Sequence, residues 1–390
     1  MTAFSTEERQ LLSESAEAWF ADRYGPEHSK KLTRDTEDGF GREEWKTYAE
    51  MGWLGLALPE AAGGSDGGLT ELAILLSTAG KHLAVEPLLP TLVLGAGAVA
   101  QFGAPAQQEI LGKVAEGACL MALLHAEPAS GFARDHVEAV ATRSGDGFTL
   151  DGAKTFAIGA HAADTLVVSA RIGDASGPVG LFLVPGKAEG VSLNVSPAMD
   201  GRRGAAARFA GVSLPADALL GGAETDRLSA IDALLDRGTL AACAEAVGAM
   251  HAATATTLDY LKQRKQFGRA LSEFQVIQHR LVDMNILCEE TRAAVHAALT
   301  AVDEGRADAA LAVARAKVQC ARASRFIGGQ AVQLHGGMGM TDELAASHFY
   351  KRLSVTEAQF GDGEWHLRRL IEAGAAAPAS AALASGLAAG

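Results

Sequence analysis

The hydrophobic period of this chain changes twice, and a fold of one layer type cannot absorb both changes. Residues 1–118 read as helices: Ser5 with Glu8 forms a capping-box pair, and Leu11, Leu12, Ala16 and Phe20 recur at helical spacing. Further helices are expected over 44–51, 69–80 and 90–102, with the Gly-rich loop 59–68 among them. Between 119 and 225 the pattern shifts to short β-type runs at 148–150, 165–169 and 179–184. Turn signals such as Ser144-Gly145-Asp146-Gly147 and Asp151-Gly152 separate them. Helical spacing returns from 226 to 372, in stretches 239–262, 272–304, 307–328 and 364–372. The expected architecture is a multidomain α+β chain. It comprises an N-terminal helical domain, a central antiparallel β domain (barrel or sandwich) and a C-terminal four-helix bundle. Residues 373–390, nearly all Ala, Gly, Ser and Pro, are expected to form a flexible tail.

Composition excludes several classes of partner. The 390 residues carry a net charge of -13, which argues against nucleic acid. Arg264, Lys265 and Arg269 form a local basic cluster, while Arg202 and Arg203 read as a solvated pair. Cys119, Cys243, Cys288 and Cys320 lack CxxC spacing, so neither a zinc site nor a disulfide framework is expected, and no metal. No apolar h-region opens the chain and no run of about 18 apolar residues occurs. A soluble cytoplasmic protein without a membrane span is the expectation. No GxGxxG follows a strand, so the nucleotide-binding doubly wound class is not indicated.

Two motifs stand out in the C-terminal half. The first is Arg264-Lys265-Gln266-Phe267-Gly268, followed by Phe274-Gln275. The second, about 65 residues on, is Gln333-Leu334-His335-Gly336-Gly337-Met338-Gly339. Taken singly, Arg264 reads as a cation at a helix C-terminus and Gly336-Gly337 as a C-cap. Taken in order, inside an α–β–α chain, they resemble the flavin-binding signatures of the acyl-CoA dehydrogenase family. The resemblance spans residues 1–372 and includes the run from Met51 to Glu60 with Gly63-Gly64 after it. It implies FAD as cofactor, an acyl-CoA substrate oxidised to the 2-enoyl-CoA, and an electron-transfer flavoprotein as acceptor. Arg264 would meet the pyrophosphate, with Gln266 and Phe267 beside it, and Phe274 and Gln275 would lie near the adenine. Gln333, Leu334, His335, Gly336 and Gly337 would form the turn along which backbone approaches the dinucleotide. In the family a subunit interface holds the flavin, so a homo- or hetero-tetramer is implied. Ala126-Glu127-Pro128-Ala129-Ser130-Gly131 stands for the family's T-E-P-G-x-G-S run, and Phe156-Ala157-Ile158 for its W-[IS]-[TS] triplet. Hydroxyl donors are absent at Ala126 and Ile158, whereas Phe156 can stack on the flavin.

The family's catalytic base is also absent. Its Y-E-G-T segment corresponds to Gln359-Phe360-Gly361-Asp362, which puts Phe360 at the glutamate. The alternative glutamate position, on the helix before R-x-x-F-G, corresponds to Gly238. Asp362 is the first candidate replacement, ahead of Glu245, Glu364 and His366. Their ordinary roles are an N-cap for Asp362, a buried ion pair for Glu245 and first-turn positions for Glu364 and His366. Residues 333–370, with T-D-E-L, H-F-Y-K-R-L and F-G-D-x-x-x-H-L, resemble small subunits of heteromeric acyl-CoA dehydrogenases, such as the pimeloyl-CoA and steroid side-chain enzymes. Three roles stay open: a dehydrogenase, a non-catalytic partner completing the flavin site of a glutamate-bearing homologue, and other flavin chemistry on the same fold.

Overall fold

The computed structural model describes residues 4–376. The first helical region contains α1 (Thr6–Arg23), α2 (Pro26–Asp35), α3 (Arg42–Glu50) and α4 (Leu69–Lys81). It closes with α5 (Ala96–Phe102), α6 (Pro105–Gln108) and α7 (Ile110–Ala115). The expected capping box starts α1: Glu8 N–H donates to Ser5 Oγ at 3.2 Å, and Ser5 N–H to Glu8 Oε2 at 2.7 Å. Leu12, Ala16 and Phe20 face the core, while Leu11 faces solvent. Ahead of α5 the chain widens into a π-helical turn over Leu89–Gly95, where Pro90 has no N–H to give.

The middle region is a seven-stranded sheet of β1 (Met121–Leu124), β2 (Val140–Ser144), β3 (Gly147–Ile158), β4 (Thr165–Ile172), β5 (Val179–Pro185), β6 (Val191–Pro197) and β7 (Arg203–Leu214). The order is β1-β4-β2-β3-β7-β6, with β5 also on β4. Most pairings are antiparallel, as the turn signals imply, but β4 runs parallel to both β1 and β2. Parallel partners are joined through distant sequence, so local turns cannot reveal them.

The C-terminal region contains α8 (Leu228–Gln263), the short hairpin β8 (Lys265–Gln266) and β9 (Arg269–Ala270), then α9 (Gln275–Asp303), α10 (Ala309–His335), α11 (Ala345–Ala358) and α12 (Gly363–Ala376). α10 packs against α8, α9, α11 and α12. The bundle therefore has a member that the periodicity missed. α11 is short and carries Ser347 and Arg352 among its buried positions, which masks its apolar stripe. Of the tail expected over 373–390, residues 373–376 are the last turn of α12; the rest lie outside the described residues. α8 and α4 touch backbone to backbone through Gly248 and Gly80, where a Cβ would meet the carbonyls of Ser77 and Glu245.

A buried charge quartet fastens the middle region to the C-terminal one. Asp200 Oδ2 accepts from Arg202 Nε at 2.7 Å and from Arg352 Nε at 2.8 Å. Glu245 Oε1 accepts from Arg202 Nη1 at 3.1 Å and from Arg352 Nη1 at 2.5 Å. Asp200 and Arg202 come from the β6–β7 connection, Glu245 from α8 and Arg352 from α11. The solvated reading of Arg202 and Arg203 is thus corrected. Arg202 is buried in the quartet, and Arg203 donates to the carbonyls of Glu37 and Thr33. Burial raises the Asp200 pKa, but Arg202 and Arg352 outweigh it and hold the carboxyl below its usual range.

Removing one member leaves an uncompensated buried charge. Glu245→Ala is expected to lower stability by about 3–5 kcal/mol, read from urea denaturation midpoints. Because Asp200 is depressed in the folded state, its contribution is complete above the ordinary carboxylate pKa of about 4. It is lost as pH falls through the lower folded value, so Asp200→Asn is expected to flatten that part of an acid-unfolding curve.

Candidate active site

A cavity of about 560 Å³ opens where the three regions meet. The π-helical turn contributes Leu89, Pro90 and Leu94, the sheet contributes Leu123 and residues 155–158, and the α11 end contributes Val355 and residues 358–361. The lining is mostly apolar, and Phe156, 39 % exposed, shows its ring on this wall. Ala126 and Ile158, the positions lacking hydroxyls, line it too.

Behind this wall lies a buried polar chain. Lys154 Nζ donates to Glu127 Oε1 at 2.6 Å, Ser169 Oγ at 3.0 Å and the His125 carbonyl at 3.1 Å, which uses all three of its hydrogens. His125 Nε2 lies 2.8 Å from the Arg134 carbonyl, which can only accept, so Nε2 carries the proton. Nδ1 then accepts from Ser169 Oγ at 2.9 Å. Burial, helped by Lys154, pushes His125 down to about 4, so the ring is neutral near pH 7. Burial also brings Lys154 down to about 8, against the pull of Glu127.

The far end of the cavity is a clamped loop. Phe360 sits at φ +61 and Gly361 at φ +100. The left-handed conformation is strained for a bulky residue, so its surroundings must hold it. Lys317 Nζ, fully buried on α10, donates to the carbonyls of Thr356 and of Gln359, the latter at 2.9 Å. Arg134 Nη2 and His366 Nε2 both reach the Phe360 carbonyl, at 3.3 and 3.2 Å. Arg134 is itself fixed by Asp232 and Asp236, each at 2.7 Å. Phe360 and Gly238, far apart in sequence, face each other: a Cβ on Gly238 would lie 3.3 Å from Phe360 Cζ. The two positions at which the family resemblance puts a glutamate therefore converge on one point, and neither side chain can take a proton.

The other candidate bases lie elsewhere. Asp362 Oδ1 accepts from Trp365 N–H at 2.7 Å as the cap of α12, and Asp362 does not line the cavity. Glu245 belongs to the quartet, and Glu364 opens the outer face of α12. His366 is buried behind the loop, where burial pushes it to about 3. None of the described lining residues is Asp or Glu. Sequence reasoning missed His125, Arg134 and Lys317. A lone lysine on the Ala-rich face of α10 was the readable signal for Lys317.

The motif residues gather at a second place. Arg264 N–H bonds the Tyr260 carbonyl, and the Tyr260 ring stacks on His335 with centroids 4.3 Å apart. Tyr260 thereby joins the Arg264 hairpin to the Gln333–Gly337 turn. His335 Nδ1 is 2.7 Å from the Ala331 carbonyl, and Leu334 is buried, whereas Gln333, Gly336 and Gly337 are exposed. Gly336 has φ +63, which glycine alone adopts without strain. Phe267 and Gly268 both have positive φ, as the tight turn of a two-residue hairpin needs, and Phe267 is 89 % exposed. Arg269 lies 4.0 Å over the Phe274 ring. Gln266 and Gln275 are exposed beside them, and none of these residues lines the cavity. The cavity lining is mostly apolar and includes Phe156, a lining compatible with a flat apolar ring such as that of FAD. The exposed hairpin and turn offer the cations and open backbone that a pyrophosphate needs.

No helix among the described residues is long and apolar enough to cross a membrane. The acyl-CoA dehydrogenase N-terminal, middle and C-terminal domain models match residues 6–118, 122–211 and 228–375. Acyl-CoA dehydrogenase FadE12 of Mycobacterium tuberculosis is 32% identical, over 88% of this chain and 89% of its own. Among solved structures, the Tcur3481-Tcur3483 steroid ACAD superposes with a TM-score of 0.86 at 30% identity, covering 95% of this chain and 99% of that one. The ChsE4-ChsE5 complex from Mycobacterium tuberculosis gives 0.86 at 27% identity, over 96% and 99%. Architecture, motifs and likenesses agree: the chain belongs to the acyl-CoA dehydrogenase family, an oxidoreductase family whose cofactor is FAD.

Proposed function

We propose that this chain is a subunit of an FAD-dependent assembly that oxidises an acyl-CoA thioester to the 2-enoyl thioester. The apolar cavity at the junction of the three regions, with Phe156 on its wall, carries this reading. Bound FAD supplies the hydride acceptor of the reaction. The chain's own residues do the rest of what can be assigned. Leu123, Ile158 and Leu94 exclude water, Phe156 gives the flavin ring a stacking face, and His125 adds a neutral edge without introducing charge.

Removing the α-proton needs a positioned base, and the cavity offers no carboxylate. Phe360 facing Gly238 favours a second reading within the first: the glutamate sits on a homologous partner, and this chain completes that partner's flavin site. The exposed Arg264 hairpin and Gln333–Gly337 turn support a role at a subunit interface, in a homo- or hetero-tetramer, with an electron-transfer flavoprotein as acceptor. By their names, the Tcur3481-Tcur3483 and ChsE4-ChsE5 relatives each have two components.

Phe360→Glu is the direct test. It is expected to raise the single-turnover rate of flavin reduction by octanoyl-CoA about 10²–10⁴-fold over the unmodified chain, followed by stopped-flow absorption. An unchanged rate would remove the cavity from the reaction. Arg264→Ala, at an exposed position, is expected to leave the FAD-free melting temperature unchanged while the purified assembly loses most of its flavin. Full flavin content in that variant would contradict the pyrophosphate role.

A further inference from the structure

The middle sheet ends on an open edge. β6 stands last in the strand order and pairs with β7 in unbroken register, from Val191 opposite Phe209 to Pro197 opposite Arg203. Just beyond its two ends, Ala210 N–H donates to the Gly190 carbonyl at 3.0 Å and Ala198 N–H to the Arg202 carbonyl at 2.8 Å. Hydrogen-bonded pairs alternate along an antiparallel ladder. Ser192, Asn194 and Ser196 therefore turn their backbone groups to β7, and Leu193 and Val195 turn theirs away from it. Among the described residues nothing bonds the backbone of Leu193 or Val195 on that outer side. Proteins commonly blunt such an edge with lysines, bulges or a covering element. β6 reads Val191-Ser192-Leu193-Asn194-Val195-Ser196-Pro197, without a charge and with proline only at its last position, and Val195 is 50 % exposed.

This edge is complementary to itself. Run antiparallel to its own copy about Asn194, it sets Leu193 opposite Val195, Ser192 opposite Ser196 and Asn194 opposite Asn194. Apolar side chains then meet apolar ones, hydroxyls meet hydroxyls, and no like charges face each other. Leu193 and Val195 are also the residues whose N–H and C=O groups point outward, so they exchange backbone hydrogen bonds in both directions. Other registers do worse. A slip of one residue sets outward groups against residues that already bond β7. Centring on Val195 brings Pro197, which has no N–H, opposite Leu193. Centring on Leu193 brings Val191, whose N–H already donates to the Ala188 carbonyl at 3.1 Å, opposite Val195. We infer that β6 is a homotypic docking edge, which pairs antiparallel with β6 of a second copy of this chain about a two-fold axis at Asn194. Two-fold symmetry lets one edge serve both partners and closes the contact at two copies. The contact uses no residue of the cavity, the Arg264 hairpin or the Gln333–Gly337 turn, so it stands or falls independently of the acyl-CoA reading.

Disulfide trapping tests the pairing on the full-length chain, purified with whatever flavin and partner it retains. Asn194 is exposed, so its substitution spares the core, and the four native cysteines are all buried and add little background. Asn194 and its symmetry mate form a non-hydrogen-bonded pair with Cα atoms about 4.5 Å apart, within reach of a disulfide. Under mild copper-phenanthroline oxidation, Asn194→Cys is expected to run mostly at twice the chain mass on non-reducing gels. Ser192→Cys is expected to stay at the chain mass, because its mate lies about 13 Å along the strand. Ser192→Cys and Ser196→Cys combined in one chain are expected to cross-link again. In sedimentation velocity over a dilution series, Asn194→Lys, which sets two lysines face to face, is expected to raise the dissociation constant of the pair at least about fivefold. Absence of a cross-link in Asn194→Cys, equal cross-linking of Asn194→Cys and Ser192→Cys, or unchanged sedimentation of Asn194→Lys would each overturn the inference.

Discussion

The cavity lies where three regions meet, and the Asp200–Arg202–Glu245–Arg352 quartet holds the middle region against the C-terminal one. Two carboxylates and two guanidinium groups share one buried site, each acid bonded to both bases. Buried charges tolerate little displacement, because any loss of contact leaves a charge in low dielectric. Met199, next to Asp200 in the chain, is itself part of the cavity wall. The position of that wall relative to α8 and α11 therefore follows from the quartet. Lys317 plays the matching part at the other end, tying the α11 terminus to α10 and fixing the loop that carries Gln359 and Phe360.

Most of the architecture was readable from period alone, since helices and strands write different spacings. The α1 capping box, the α4 span and the β3, β4 and β5 runs follow from local pattern. The misses share a cause, which is that the deciding contact lies far away in sequence. The parallel β1–β4 pairing joins strands more than forty residues apart. α11 looks polar until Arg352 is seen to face Glu245. Arg202 looks solvated for the same reason.

The site was legible in part. The Phe156 wall and the Arg264 and Gly336-Gly337 motifs could be named from sequence, but not their division between a cavity and an outer surface. Asp362 could be named as a base by proximity in sequence, and equally as a cap. The helix that follows claims it as a cap, because Trp365 N–H needs an acceptor. That Phe360 faces Gly238 could not be read, since it depends on how α8 and the 359–361 loop come together. That contact bears on the proposed reaction, because an aromatic ring stands at the position to which the family resemblance assigns a carboxylate.

The central claim is that this chain binds an acyl thioester beside the flavin but supplies no base for it. The most direct measurement is anaerobic titration of the purified, FAD-loaded chain, without any homologous partner, with acyl-CoAs, followed by visible absorption and product analysis. The account predicts a shift of the flavin band on binding with no bleaching and no enoyl-CoA. Bleaching with stoichiometric enoyl-CoA would contradict it, and would mean that a proton acceptor other than a cavity carboxylate operates within this chain.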